Sequence, residues 1–149
     1  MVKPGEFAPQ FSQRTHQDNL LSLASLRGHK VLLWFFPEAG SPGCTTEAKS
    51  LQEHRPFFDE NNIVLVGASF DQVEASAAFA QRLGLSFPLL CDTDRTVALA
   101  YGACQDPKAR YPDRVSVLID EEGRVTRVYD HVDPRDHAAR VLADLIDPQ

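Results

Sequence analysis

The sequence lacks an apolar run long enough to cross a membrane. Its longest unbroken apolar stretch, at residues 31–36, falls far short of the roughly 18 residues that a membrane span requires. The opening residues MVKPGEFAPQ also lack the basic start and the apolar stretch of a secretory signal peptide. We therefore expect a cytoplasmic protein with no membrane partner.

Basic residues are too few for a nucleic-acid-binding protein. The chain has 15 Lys and Arg against 21 Asp and Glu, which gives a formal net charge of −6. Affinity for nucleic acid depends mainly on cationic side chains that displace counterions from the phosphates. We therefore expect no nucleic-acid partner.

Cysteine is also scarce, with three residues at the widely spaced positions 44, 91 and 104. An odd number at such spacing does not form a structural disulfide framework. The cysteines and the five histidines lack the close ligand spacing of a metal site, so we expect neither a metal nor another cofactor. The remaining question is the chemistry of a single thiol.

Strands and helices alternate along what we expect to be one domain, residues 1–149, because a chain of this length supports one buried core. Apolar runs predict strands at 31–36, 63–68, 87–90, 115–119 and 124–129. Helical spacing predicts helices at 44–58, 73–83, 94–101 and 135–146. This order predicts an α/β, thioredoxin-like fold with a central mixed sheet flanked by helices, and the first thirty residues predict an added N-terminal β-hairpin. The polar, proline-containing segment 103–114 predicts an exposed loop.

Cys44 stands where the first predicted helix follows the strongest predicted strand. Ser41 and Pro42 form a helix-start signature, because serine caps helices and proline suits the first helical position. Cys44 then lies in the first turn, where unpaired amides and the helix dipole favour a thiolate. On these residues alone, the alternative is a small buried cysteine that only fills the helix face.

The pattern Pro37-x-x-x-Ser41-x-x-Cys44 resembles the active-site motif of peroxiredoxins, in which Thr or Ser occupies the hydroxyl position. Its extension PGCTTEA at 42–48 resembles the bacterioferritin comigratory protein branch of that family, also called the Q type. Further segments match this branch in order, at 87–92, 98–102, 114–123 and 132–145. The resemblance therefore covers nearly the whole chain.

The resemblance implies a thiol-dependent peroxidase that reduces hydrogen peroxide and organic hydroperoxides. In such an enzyme the Cys44 thiolate attacks one peroxide oxygen and becomes a sulfenic acid, which a thiol then reduces. The family's arginine falls on Arg114, which is expected to polarise the peroxide and hold the thiolate. Ser41 is expected to hydrogen-bond the substrate and Pro37 to shield the sulfenate. Glu47, one helical turn after Cys44, matches the glutamate that orients the arginine.

The chain departs from this branch at the second, resolving cysteine, because Lys49 and Ala80 occupy its two usual positions. Cys104 is the better remaining candidate, since loops move and expose their side chains, whereas we expect Cys91 to pack in the core. If neither resolves Cys44, the enzyme is a one-cysteine peroxidase whose reductant is thioredoxin, glutaredoxin or a small thiol. The branch is often monomeric, so we expect a monomer, with a dimer as the alternative.

Two other functions stay open on the residues alone. A thioredoxin-fold thiol-disulfide oxidoreductase requires Cys-x-x-Cys, and Ser41 occupies the first of those positions. A non-catalytic binding or chaperone module is the alternative from another class, because a fold does not dictate function. Without the motif, Arg114 and Glu47 would be interpreted as solvated surface charges, and Ser41 only as a helix cap.

Overall fold

Strands and helices alternate through the computed structural model, which describes residues 1–130 and 132–146. The strands are β1 (Ser12–Arg14), β2 (Leu20–Ser22), β3 (Lys30–Phe35), β4 (Ile63–Ser69), β5 (Leu89–Cys91), β6 (Ser116–Ile119) and β7 (Val125–Tyr129). The helices are α1 (Pro42–Glu53), α2 (Arg55–Glu60), α3 (Val73–Leu83), α4 (Thr96–Tyr101) and α5 (His137–Ile146), with a short 3-10 helix at Leu23–Leu26. His131, one of the five histidines considered above, lies outside the described residues.

The central sheet has the strand order β5-β4-β3-β6-β7. Strands β3, β4 and β5 are parallel, whereas β6 runs antiparallel to both β3 and β7. Strand β3 is central because its apolar run is buried on both faces. The predicted α/β fold with a mixed sheet is confirmed, and the ends of its five predicted strands shift by only one or two residues.

The predicted N-terminal hairpin is also present, as the antiparallel pair β1 and β2. It attaches to the edge of the central sheet through a bridge between Thr15 and Leu90 and a 2.9 Å hydrogen bond from the His16 amide to the Leu89 carbonyl. The hairpin thereby covers part of β5, whose free edge would otherwise expose unpaired backbone groups.

Two apolar layers cover the sheet, one on each face. Helices α1, α3 and α5 pack on the face formed by Leu32 and Trp34, which we call the α1 face. Helix α4 and the N-terminal segment pack on the opposite face, formed by Leu33 and Phe35, which we call the α4 face. Cys44 belongs to the α1 face, so the sheet itself supports the first helix from below.

Two local expectations differ from the structure. The predicted helix 44–58 is divided into α1 and α2 at His54, because Pro56 lies in the first turn of α2 and has no amide hydrogen to continue the helical bonding. Segment 103–114 is irregular as predicted, but its beginning is not exposed. The Ala103 amide donates to the Ala98 carbonyl at 2.8 Å, which turns the chain inward after α4 and buries Cys104.

Helices long and apolar enough to cross a bilayer are absent from the described residues.

Candidate active site

The loop between β3 and α1 places Cys44 at the carboxyl end of the central strand. Ser41 has extended backbone angles (φ −67°, ψ 152°) and its Oγ accepts from the Cys44 amide at 3.4 Å, as expected of a helix cap. Pro42 begins α1, so Cys44 lies in the first turn as predicted. Pro37 is half-buried at the start of the same loop.

The Cys44 side chain is fully buried, and two donors point at its sulfur. The Glu38 amide lies 3.5 Å from Sγ, and Arg114 Nη2 lies 3.4 Å from it. One of these donors is cationic, and both belong to groups that the fold holds in place. The sulfur is therefore in contact with two hydrogen-bond donors at the start of α1.

Arg114 contacts two partners with one guanidinium. Its Nη1 donates to Glu47 Oε1 at 3.0 Å, while its Nη2 points at Cys44. The two ends of the ion pair differ in exposure, at 21% for the arginine side chain and 1% for the glutamate side chain. The ion pair therefore joins a buried carboxyl group to a partly exposed guanidinium.

Strand pairing explains how residues so distant in sequence meet. Strand β6 runs antiparallel to β3, with Ser116 opposite Trp34, and the Phe35 amide donates to the Val115 carbonyl at 2.8 Å. The amino end of β6 therefore lies beside the carboxyl end of β3, where α1 begins. Arg114, just before β6, is brought to the first turn of α1 by this register.

Burial dominates the electrostatics of Glu47. Loss of solvation raises the pKa of Glu47 from 4.5 to about 7, although the charge and the hydrogen bond of Arg114 both lower it. Only Oε1 takes part in the ion pair, and Oε2 has no hydrogen-bond partner among residues 1–130 and 132–146. The carboxylate thus has one oxygen committed to Arg114 and one still to be satisfied.

Gly43 is a site residue that sequence reasoning missed. A Cβ atom at this position would lie 2.6 Å from Arg114 Nη2 and 3.6 Å from the ring of Pro134. The missing Cβ allows the guanidinium to approach the first turn of α1 this closely. The signal in the sequence was the glycine directly before Cys44, but its meaning depends on an arginine about seventy residues later in the chain.

The other two cysteines are also buried. Cys91 ends β5 in the core, as predicted, and burial raises its pKa. Cys104 is only 5% exposed and packs on the α4 face, so the expectation that its loop exposes it is wrong. A disulfide needs Cα atoms within about 7 Å, and the sheet stands between Cys104 and Cys44.

The structure brings together five of the predicted site residues, namely Pro37, Ser41, Cys44, Glu47 and Arg114, and leaves Cys104 apart. Clusters of His, Cys, Asp and Glu able to hold a metal ion were not found in the described part of the chain. The arrangement is a buried thiol at a helix start, held by an arginine and a backbone amide. Such a site suits nucleophilic attack by a thiolate.

Comparison with known proteins places this site in a family. The model of the AhpC/TSA family matches residues 4–128, which include every residue of the site. The chain belongs to the AhpC/TSA family. A Coxiella burnetii relative that carries the bcp peroxiredoxin name is 36% identical, covering 97% of this chain and 99% of its own. Peroxiredoxin Bcp of Escherichia coli K12 is 31% identical, over 95% of this chain and 94% of its own.

A solved structure agrees with these relatives. Peroxidoxin BcpB from Mycobacterium tuberculosis superimposes with a TM-score of 0.91 at 29% identity, covering 100% of this chain and 99% of its own. The chain is thus a peroxiredoxin of the bacterioferritin comigratory protein type, with the thioredoxin-like fold. Its activity is that of a thiol-dependent peroxidase, which takes a peroxide as substrate and a thiol as reductant.

Proposed function

We propose that Cys44 is the nucleophile of this peroxidase and that hydrogen peroxide and organic hydroperoxides are its substrates. The thiolate attacks the terminal hydroxyl oxygen of the peroxide. The S–O bond forms as the O–O bond breaks, which yields a Cys44 sulfenic acid. The departing hydroxide or alkoxide takes up a proton and leaves as water or an alcohol.

The contacts at Cys44 support this role. Arg114 Nη2, at 3.4 Å from Sγ, is close enough to interact first with the thiolate and then with the charge that develops on the leaving oxygen. The Glu38 amide is a second fixed donor at the same sulfur. Preorganised donors of this kind need no rearrangement during the reaction, which is why they lower its barrier.

The remaining site residues have supporting roles in this proposal. Ser41, whose Oγ lies against the Cys44 amide, hydrogen-bonds the peroxide from the helix start. Pro37 closes the loop side of the pocket and shields the sulfenic acid. Glu47 is a positioning residue, because it contacts Arg114 rather than the reacting atoms.

We propose that reduction of the sulfenic acid comes from outside the chain, which makes this a one-cysteine enzyme. The positions used by second cysteines in this branch hold Lys49, which is exposed, and Ala80. Cys104 packs across the sheet from Cys44. A thiol from thioredoxin, glutaredoxin or a small molecule then attacks the sulfenic sulfur and releases water, and a second thiol regenerates Cys44. We further propose that residues 1–149 work as one domain, as a monomer in the cytoplasm.

Treatment with one equivalent of hydrogen peroxide in the presence of dimedone, followed by mass spectrometry, tests this scheme. We expect a dimedone adduct on Cys44 and no intramolecular disulfide. The variant Cys44→Ser should lose peroxide turnover, whereas Cys104→Ser should keep it. A disulfide between Cys44 and Cys104 would overturn the one-cysteine scheme, and turnover in Cys44→Ser would overturn the proposed nucleophile.

The same protein preparation is used to identify the reductant. Turnover is measured with thioredoxin and its reductase, with glutaredoxin, and with glutathione or dithiothreitol alone. Because Cys44 is fully buried and Arg114 beside it is partly exposed, we propose that a small thiol approaches the sulfur past Arg114, whereas a protein thiol requires the first turn of α1 to move. Turnover with a small thiol alone is therefore the expected result, and a strict requirement for thioredoxin would contradict that reasoning.

A further inference from the structure

Three polar atoms behind the Arg114–Glu47 pair are buried without a hydrogen-bond partner among the described residues. They are Glu47 Oε2, Ser116 Oγ and His137 Nε2. Their residues are only 1%, 1% and 2% exposed. Buried polar groups of native proteins are almost always satisfied by protein or by internal water, so three in one region require an explanation.

Strand register and helix packing place the three side chains on the α1 face of the sheet. Ser116 lies opposite Trp34 and two residues before Leu118, which both belong to the α1 face, so its side chain leaves the sheet on that face. The Arg114–Glu47 pair lies at the same end of the sheet, because Glu47 belongs to α1. Ser116 lies opposite Tyr129 in the β6–β7 pair. The Tyr129 ring packs edge-on against the ring of His137, with centroids 5.3 Å apart.

Helix packing covers this part of the α1 face. Helix α5, which begins at His137, packs on α1 on the same face of the sheet. Pro134, just before α5, lies against the first turn of α1 at Gly43. Glu47 from α1, Ser116 from β6 and His137 from α5 are therefore buried in the same layer, where α1 and α5 pack on the sheet.

The chemistry of the three groups is complementary. A carboxylate oxygen accepts hydrogen bonds, a hydroxyl both donates and accepts, and a neutral imidazole nitrogen does either according to its tautomer. Burial lowers the pKa of His137 to about 4, so the imidazole is neutral near neutral pH. The phenol of Tyr129 donates its proton to Asp144 at 2.8 Å, so it is not available as a donor to Glu47 Oε2.

We propose that Glu47 Oε2, Ser116 Oγ and His137 Nε2 bind one internal water molecule, and that Ser116 and His137 are thereby positioning residues for Arg114. A water with three protein partners is the usual form of buried water. By donating to Oε2, this water stabilises the ionised form of Glu47, which keeps Arg114 directed at Cys44. The catalytic part of the inference rests on the proposed function, whereas the water site does not.

The charge of Glu47 is the quantity to measure, because substitutions of Ser116 and His137 would not change it if these residues had only a structural role. Among the described residues, the titratable groups around this layer are Arg114, which pairs with Glu47 and contacts Cys44, and His137 from α5, with Tyr129 and Arg140 beside the imidazole. The carboxyl titration of Glu47 is followed by carbon NMR in the reduced protein. The pH dependence of kcat/KM for hydrogen peroxide is measured in parallel.

The variants are Ser116→Ala and His137→Leu, with His137→Gln as the conservative replacement that keeps a donor. Ser76→Ala is the matched control, because Ser76 is also a buried serine but lies on α3, where its side chain neighbours Cys91 rather than Glu47. We expect the Glu47 titration midpoint to rise by about one pH unit in Ser116→Ala and His137→Leu, which is a tenfold change in its protonation equilibrium. His137→Gln should restore most of the shift, and Ser76→Ala should show none.

Several results would overturn the inference. An unchanged titration midpoint of Glu47 in Ser116→Ala would overturn it, even if His137→Leu fails to fold. A shift in Ser76→Ala as large as that in Ser116→Ala would also overturn it. A crystal structure of the wild-type protein without an ordered water within hydrogen-bond distance of the three atoms also overturns it. If the wild-type protein instead shows the water and the expected midpoints but reduces no peroxide, the proposed function fails and the water site stands.

Discussion

Gly43→Ala is expected to separate activity from stability. The added Cβ would lie 2.6 Å from Arg114 Nη2, against about 3.4 Å or more for ordinary contact, so the guanidinium must retreat by roughly 1 Å. Retreat stretches the 3.4 Å contact between Nη2 and Cys44 Sγ. A misplacement of about 1 Å at an active site typically costs about 100-fold in rate, so we expect kcat/KM for hydrogen peroxide to fall by that factor.

The folded state should tolerate this change. The clash falls on the far end of a flexible side chain, and alanine stabilises a helix by about 0.5–1 kcal/mol relative to glycine. Stopped-flow kinetics and urea unfolding measure the two quantities on the same preparation. The control is Gly84→Ala, which places alanine at φ +65° with no atom near the new Cβ, and which should lose about 1 kcal/mol of stability while keeping kcat/KM. Wild-type kcat/KM in Gly43→Ala would refute the assigned position of Arg114.

Three further changes test the rest of the site. Arg114→Lys should lower kcat/KM by about 100-fold in the same peroxide assay, because one ammonium cannot reproduce the fork that contacts both Glu47 and Cys44; retention of activity would contradict this geometry. The raised pKa of Glu47 means that its contribution to the free energy of unfolding is present below pH 4.5 and is lost as pH rises to about 7. Glu47→Gln should remove this loss, so its unfolding free energy in urea should rise relative to wild type between pH 4.5 and 7; parallel curves would refute the shift. Alkylation of the native protein by iodoacetamide at pH 8 should leave Cys91 and Cys104 largely unmodified, because both thiols are buried and have raised pKa values; rapid labelling of either would contradict that burial.

The position of Cys44 could be predicted from sequence because its causes are local. A buried strand, a capping serine and a proline at the first helical position lie within fourteen residues of chain, and each has a short-range physical effect. The predicted place of Cys44 in the first turn agrees with the structure. The break of the helix at His54 was also a local effect, but the helical spacing of Phe58 concealed it.

Arg114 could be connected to Cys44 only through the resemblance to peroxiredoxins. Its approach depends on the antiparallel register of β6 against β3, and nothing near residue 114 specifies that register. The same limit applies to Gly43, whose role depends on the approach of Arg114. Cys104 was placed wrongly because a proline-rich, charged segment predicts exposure on average, whereas the hydrogen bond closing α4 turns its first residues inward.

The position of the sheet between Cys44 and Cys104 affects how the enzyme withstands an excess of peroxide. Under the proposed one-cysteine scheme, the Cys44 sulfenic acid persists until a reductant arrives from solution, because the sheet separates it from Cys104. If a second oxidant molecule arrives first, the sulfur advances to the sulfinic state, which most cells cannot reverse. The local concentrations of peroxide and reducing thiol therefore determine whether Cys44 returns to the thiol or is over-oxidised.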